Sequence, residues 1–169
     1  MSGIPSPVRW GLVGLGWVAA DFIAPAMVKS TSSQLAACVG SSLAKGQAFA
    51  ERFGVARVYT DLEALLHDPE IDAVYIALPN ALHYQAVLAA ARAKKPVLCE
   101  KPFAMSVANA REMTTACREA GVLLRIAHQI RLDAAVGRAR AIVRSERLGR
   151  LAAISLERAS GLGARTAWR

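Results

Sequence analysis

VRWGLVGLGWVAADFIAPAM (8–27) decides the fold. It opens with an apolar run of strand length, Val8–Val13. Gly14-Leu15-Gly16-Trp17-Val18-Ala19 follows at once, and the apolar spacing after it predicts a helix over about residues 17–29. Strand, GxGxxG/A turn and helix, in that order, make up the phosphate-binding turn of a dinucleotide-binding unit. Gly14 permits the tight turn, Gly16 lets the backbone approach a pyrophosphate, and Ala19 lets the helix pack close to the strand. The free amides at the helix start, around Trp17 and Val18, and the positive end of the helix dipole both suit a phosphate. The plainer alternative is a glycine turn in an α/β domain that holds no nucleotide.

Leu35–Gly40 reads as the second strand and residues 43–53 as the next helix. An NAD-binding unit usually carries an acidic residue about 20 positions on, bonded to the ribose 2′-hydroxyl. Here no Asp or Glu occurs between Asp21 and Glu51. Gly40-Ser41-Ser42 stands in that place, with Lys45 soon after. Two hydroxyls and a cation suit a 2′-phosphate, and the missing carboxylate removes a repulsion. Ser41, Ser42 and Lys45 therefore predict NADP(H) in preference to NAD(H). The same serines also suit the cap of the next helix.

Further along, Arg57–Tyr59 reads as a short strand, and Asp61 as the cap of a short helix ending at His67. Ala73–Leu78 is a strongly apolar strand ended by Pro79-Asn80. Ala81–Ala93 reads as a helix, Val97–Cys99 as a strand, and Ser106 as the cap of a helix to about Ala120 that Gly121 ends. Val122–Ala127 is the sixth strand. Continuous apolar strands alternating with helices indicate parallel strands covered on both faces. The fold class is α/β: a doubly wound parallel sheet over residues 1–130.

Residues 131–169 differ in character. Asp133–Glu146 reads as an amphipathic helix with Val136, Ala139, Ile142 and Val143 on one face. Leu148-Gly149-Arg150 is a turn, Leu151–Glu157 reads as a strand, and a glycine-, alanine- and arginine-rich tail follows. A lone strand leaves its edges unpaired. Residues beyond about 150 are expected to be mobile or paired with another chain, which makes this segment the expected route to a homo-oligomer.

With 54% hydrophobic and 20% charged residues in 169, the composition is that of a globular protein. No apolar run approaches the roughly 18 residues that span a bilayer. The start, MSGIPSPVRWGLVG, lacks the charged and apolar parts of a signal peptide. Cys38, Cys99 and Cys117 are odd in number and widely spaced, as reduced core thiols of a cytoplasmic protein are. His67, His83 and His128 show no metal-ligand spacing with them, so no metal is expected. The net charge of +8 admits a nucleic-acid partner. The arginines are scattered singly, however, without a basic run or interleaved aromatics, and an anionic small ligand explains the charge equally well.

In an open α/β sheet, ligands bind outside the carboxyl ends of the strands. Lys101, in PVLCEKP (96–102), stands there with Glu100, and packing alone does not explain a charged amine at the end of a buried strand. The Lys101–Pro102 bond is free to be cis at far lower cost than an ordinary peptide, and a fixed turn would aim the amine. Beside a nicotinamide, that amine can hydrogen-bond a substrate hydroxyl or polarise a carbonyl during hydride transfer. The plainer alternative is an ion pair with Glu100 or a surface turn. Pro79, Asn80 and His83, in PNALH (79–83), lie on the same edge. Asn80 also reads as a helix cap and His83 as a first-turn surface residue.

GLVGLGWVA (11–19), DPEIDAVYIALPNALH (68–83), CEKPFAMS (99–106) and EAGVLLRIAHQIRLDAA (119–135), in this order, resemble the Gfo/Idh/MocA oxidoreductase family. ACVGSSLAKG (37–46) looks most like the NADP(H)-using sugar reductases of that family. The resemblance implies a Rossmann domain followed by a second α/β domain with a large, mostly antiparallel sheet. It makes Lys101 the family's motif lysine, borders the nicotinamide pocket with Pro79 to His83, and sets His128 and Arg131 on the substrate side. Leu151–Glu157 would be the first strand of the second domain. The family's catalytic histidine lies beyond the stretch that matches, so its role carries over to no residue here. The expected activity is hydride transfer between NADP(H) and a sugar or polyol. The alternatives are an NADP(H)-binding module without turnover and a basic nucleic-acid-binding protein.

Overall fold

The structure is a computed structural model and describes residues 7–155 and 157. Six strands form one sheet in the order β3-β2-β1-β4-β5-β6. They are β1 (Val8–Val13), β2 (Ser33–Val39), β3 (Arg57–Tyr59), β4 (Ala73–Ile76), β5 (Val97–Cys99) and β6 (Leu124–Ile126). Every neighbouring pair is parallel. The helices are α1 (Ala24–Lys29), α2 (Leu43–Phe53), α3 (Leu62–Leu66), α4 (His83–Arg92), α5 (Val107–Glu119) and α6 (Ala134–Arg144).

Alternate strand residues feed opposite faces, as the two-residue period of a strand requires. Val13, Ala37, Val74 and Ile76 join a core with Leu65, Val87 and Met113 from α3, α4 and α5. Leu12, Cys38 and Tyr75 join the other core with Ala19 just ahead of α1, Met27 of α1 and Phe49 of α2. Both faces are therefore covered, which is why the strands read as unbroken apolar runs. Fully burying a Leu, Ile or Val side chain contributes about 1.5–3 kcal/mol. The ends are set by local chemistry. Ser42, Asp61 and Ser106 accept backbone N–H groups at the starts of α2, α3 and α5, and Gly54 in the left-handed region closes α2.

The helix expected over 17–29 is present, but Ala19–Ile23 form a π-helical turn before α1. Pro25 lacks the N–H for an i→i−4 bond, and in a regular α-helix its ring would meet the carbonyl four residues back. The wider turn, with the Ala24 N–H reaching Ala19 O, accommodates it. The helix expected from Ala81 opens as a 3₁₀ turn, Asn80–Leu82, ahead of α4.

The amino edge of the sheet is fastened by Arg9. Its Nη2 lies 2.7 Å from Asp72 Oδ1 and its Nε 3.0 Å from Oδ2, while Nη1 reaches Glu70 Oε2 at 2.7 Å. The hydrogen bond from Arg9, helped by its charge, holds the Asp72 carboxyl below the usual carboxylate range, against the opposing effect of burial. A depressed folded-state value gives stability above the unfolded value, about 3.9 for Asp, and loses it as pH falls further. Asp72→Asn is thus expected to lower neutral-pH stability while shrinking the drop as pH falls below about 4. Urea titrations at several pH values check this.

Cys38, Cys99 and Cys117 are unpaired and buried. Burial pushes the Cys38 thiol up to about 11, and burial with the nearby Glu100 pushes Cys99 up to about 12. A disulfide-exchange reagent is expected to titrate none of the three cysteines in the native protein and all three in guanidinium.

The chain divides into two units between His128 and Gln129. The second holds a 3₁₀ turn, Gln129–Leu132, and α6, whose Asp133 side chain accepts the Ala135 and Val136 N–H groups. Leu151–Ser155, expected as the start of a strand, carry no strand pairing among the described residues. A strand exists by its ladder, and no described segment supplies one. The rest of that expected strand and the Gly/Ala/Arg tail lie at or beyond residue 156, almost wholly outside the described residues. Among the described residues no helix is long and apolar enough to cross a membrane.

Candidate functional site: the carboxyl edge of the sheet

One row of residues runs level across the sheet near its carboxyl edge. Val13 pairs with Val39 and with Ile76, Val39 with Tyr59, Ile76 with Cys99, and Cys99 with Ile126. The loops leave from this row. The first residue of each donates sideways: Gly14 N to Val39 O, Ala77 N to Val13 O, Glu100 N to Ile76 O and Ala127 N to Cys99 O. The order of strands reverses between β1 and β4, the switch point where open α/β sheets take their ligands.

The glycine turn opens at β1. Gly14 has φ +93°, and a Cβ there would lie 2.7 Å from Ala77 O. The fold itself therefore requires this glycine. Gly16 differs: a Cβ there would meet nothing within 4 Å. That open backbone suits the close approach of a pyrophosphate. Ala19 is buried in the core beside Leu12 and Tyr75, as its packing role demands. Val18 is half-buried, and Trp17 is 57% exposed with its ring edge-on to Phe22.

At the end of β2, Gly40 lies close under the start of α2, its Cβ position 3.1 Å from Gly46 N. Ser41 and Lys45 are exposed. Ser42 Oγ accepts the Lys45 N–H at 3.3 Å, so this serine does cap α2.

Beyond β4, Pro79 is exposed and Asn80 half-buried. Asn80 starts the 3₁₀ turn, whose entry carries no side-chain cap. His83 is no surface residue: it is 0% exposed, with Nε2 2.9 Å from Leu78 O and Nδ1 3.0 Å from Pro102 O.

Beyond β5, Glu100 is buried beside an exposed Lys101. Tyr75 donates its hydroxyl to Glu100 Oε1 at 2.7 Å, and the Lys101 backbone N–H donates to Oε2 at 3.1 Å. Burial first, then the hydrogen bond and charge of Glu100, raise the Tyr75 phenol far above its ordinary range and keep it a donor. The Lys101–Pro102 peptide is cis. Among the described residues the Lys101 amine makes no hydrogen bond or ion pair. The sequence reading missed Tyr75. Its one signal was a hydroxyl-bearing ring inside the apolar run AVYIAL.

His128 is exposed just past β6, its N–H donating to Ile126 O at 2.8 Å. Arg131 stands in the 3₁₀ turn of the second unit. Among the described residues no cluster of three or more His, Cys, Asp or Glu is placed to hold a metal.

A sequence profile of the Gfo/Idh/MocA oxidoreductase family, NAD-binding Rossmann fold, matches residues 8–128. The 1,5-anhydro-D-fructose reductase of Ensifer adhaerens is 41% identical over 142 residues, 84% of this chain and 42% of that protein. The trans-1,2-dihydrobenzene-1,2-diol dehydrogenase of Mus musculus is 36% identical over 118 residues, covering 69% of this chain and 35% of its own. Among solved structures, a 3-ketoreductase from Actinomadura kijaniata in complex with TDP-benzene and NADP superposes with a TM-score of 0.77 at 29% identity, over 82% of this chain and 44% of that one. The chain thus spans less than half the length of these relatives. Glycine turn, strand order and profile agree, and the chain belongs to the Gfo/Idh/MocA oxidoreductase family with its NAD(P)-binding Rossmann fold.

Proposed function

We propose that this chain binds NADP(H) in preference to NAD(H) and serves an oxidoreductase that acts on a sugar or polyol. The observation that carries the reading is the unpaired Lys101 amine on the same sheet edge as the open Gly16 backbone. Gly14, Gly16, Trp17, Val18 and Ala19 form the pyrophosphate turn. Ser41 and Lys45, with Ser42 at the start of α2, take the 2′-phosphate. Pro79, Asn80, Glu100 and Lys101 frame the nicotinamide end, with His128 toward the substrate. When bound, the cofactor supplies or accepts a hydride at its nicotinamide C4. Lys101 donates a hydrogen bond to the substrate oxygen and stabilises the charge that develops there. The reductase among the relatives supports a sugar, and the NADP in the neighbouring structure supports the cofactor. The unpaired cysteines support a cytoplasmic setting.

A second reading is an NADP(H)-binding module without turnover. Calorimetry with NADPH and NADH tests the first step. NADPH is expected to bind at least about tenfold more tightly, and Lys45→Glu to remove most of that difference, since about 1.4 kcal/mol is a factor of ten. Equal or reversed affinities overturn the assignment of Ser41, Ser42 and Lys45. Binding with no turnover across a panel of sugars and polyols favours the second reading.

A further inference from the structure

His83 begins α4, and none of its surface reaches solvent. Its two ring nitrogens meet two backbone carbonyls from different loops. Nε2 lies 2.9 Å from Leu78 O, in the segment after β4. Nδ1 lies 3.0 Å from Pro102 O, in the turn after β5. A neutral ring donates to one carbonyl at a time, and a doubly protonated ring donates to both. These loops are short of donors of their own, because Pro79 and Pro102 have no N–H. His83 reaches one carbonyl in each of the two loops.

We infer that His83 is a positioning residue, a clip that fixes the Lys101–Pro102 turn against the Leu78–Pro79 turn. Through that turn it sets where the Lys101 amine stands relative to the nicotinamide end of the cofactor. The inference rests on the NADP(H) reading above. The imidazole itself is not a cofactor contact, because it has no exposed surface and both nitrogens face protein carbonyls.

The test uses the whole 169-residue chain with His83→Phe, which keeps a ring but no donor, and His83→Gln, which keeps one donor group. Amide hydrogen exchange of the unliganded proteins comes first. The Lys101 N–H, bonded to Glu100 Oε2, and the Leu82 N–H, bonded to Pro79 O, are expected to exchange about tenfold faster in the Phe variant, with Gln between. Val74 in the central sheet keeps its wild-type rate. Unchanged loop rates, or a rise shared equally by Val74, overturn the clip. Nucleotide binding then separates positioning from general destabilisation. NADPH affinity is expected to fall about tenfold, while 2′,5′-ADP, which lacks the nicotinamide half, binds as to wild type. Equal loss of both ligands, or loss of neither, overturns the positioning role. If His83→Phe does not fold, His83→Gln carries both measurements. A wild-type chain that binds neither nucleotide overturns the cofactor reading, and the exchange rates alone then judge the clip.

Discussion

Gly14→Ala is expected to abolish measurable nucleotide binding and to destabilise the fold, while Gly16→Ala spares the fold. At Gly14 the backbone has φ +93° and the new methyl would sit 2.7 Å from Ala77 O, a backbone atom that cannot rotate away. A residue forced into such a conformation costs about 1–3 kcal/mol before the clash is counted. Relief requires β1 and the segment after β4 to separate, which breaks the Ala77 N–H to Val13 O bond. The turn that presents amides to phosphate moves with it. Losing two charge-assisted hydrogen bonds, at about 1.5–3 kcal/mol each, lowers affinity by about 100-fold or more. At Gly16 the added methyl meets no protein atom within 4 Å. Its stability should stay within about 0.5 kcal/mol of wild type, while a pyrophosphate at that backbone is displaced. Denaturant titration and NADPH calorimetry on both variants check this, and equal stability losses at the two positions would refute it.

Glu100→Leu is the second large effect. It leaves two donors, the buried Tyr75 hydroxyl and the part-buried Lys101 amide, without their acceptor. Each orphaned donor costs about 1–3 kcal/mol, partly offset by the apolar side chain that replaces the carboxyl, so a net loss of about 2–4 kcal/mol is expected. Glu100→Gln should fall between, because its single carbonyl oxygen serves one donor while its amide faces the other. Tyr75→Phe leaves Oε1 alone unpaired and should cost least. Unfolding midpoints at constant denaturant slope measure the series. A Leu variant as stable as wild type would mean that Glu100 is kept for a ligand and not for the fold.

The parallel strands and the glycine turn were legible because backbone demands show in the sequence. A parallel strand buried on both faces must be apolar throughout, and Gly14 is required by its φ. The caps at Ser42, Asp61 and Ser106 were legible for the same reason: each is a local, short-range satisfaction of an amide. What escaped was long-range. His83 gave no sign that its nitrogens reach carbonyls 5 and 19 residues away. Tyr75 gave none of a partner 25 residues on. The π turn did leave a signal: Pro25 stands well inside the helix expected over about 17–29, where a proline interrupts the i→i−4 ladder. The strand expected at Leu151 carries no pairing among the described residues, since a ladder depends on a partner that no local pattern can supply.

The level row at the carboxyl edge also acts as a ruler. Neighbouring strands are about 4.8 Å apart, so three spacings separate β2 from β5, about 14 Å. The loop with Ser41 and the loop with Lys101 leave strands that the sheet holds at that separation. A ligand that meets both loops has to bridge that separation. If the proposed dinucleotide spans both loops, strand spacing sets the length of ligand that fits, and point substitutions at either end would change which head is preferred without changing that length.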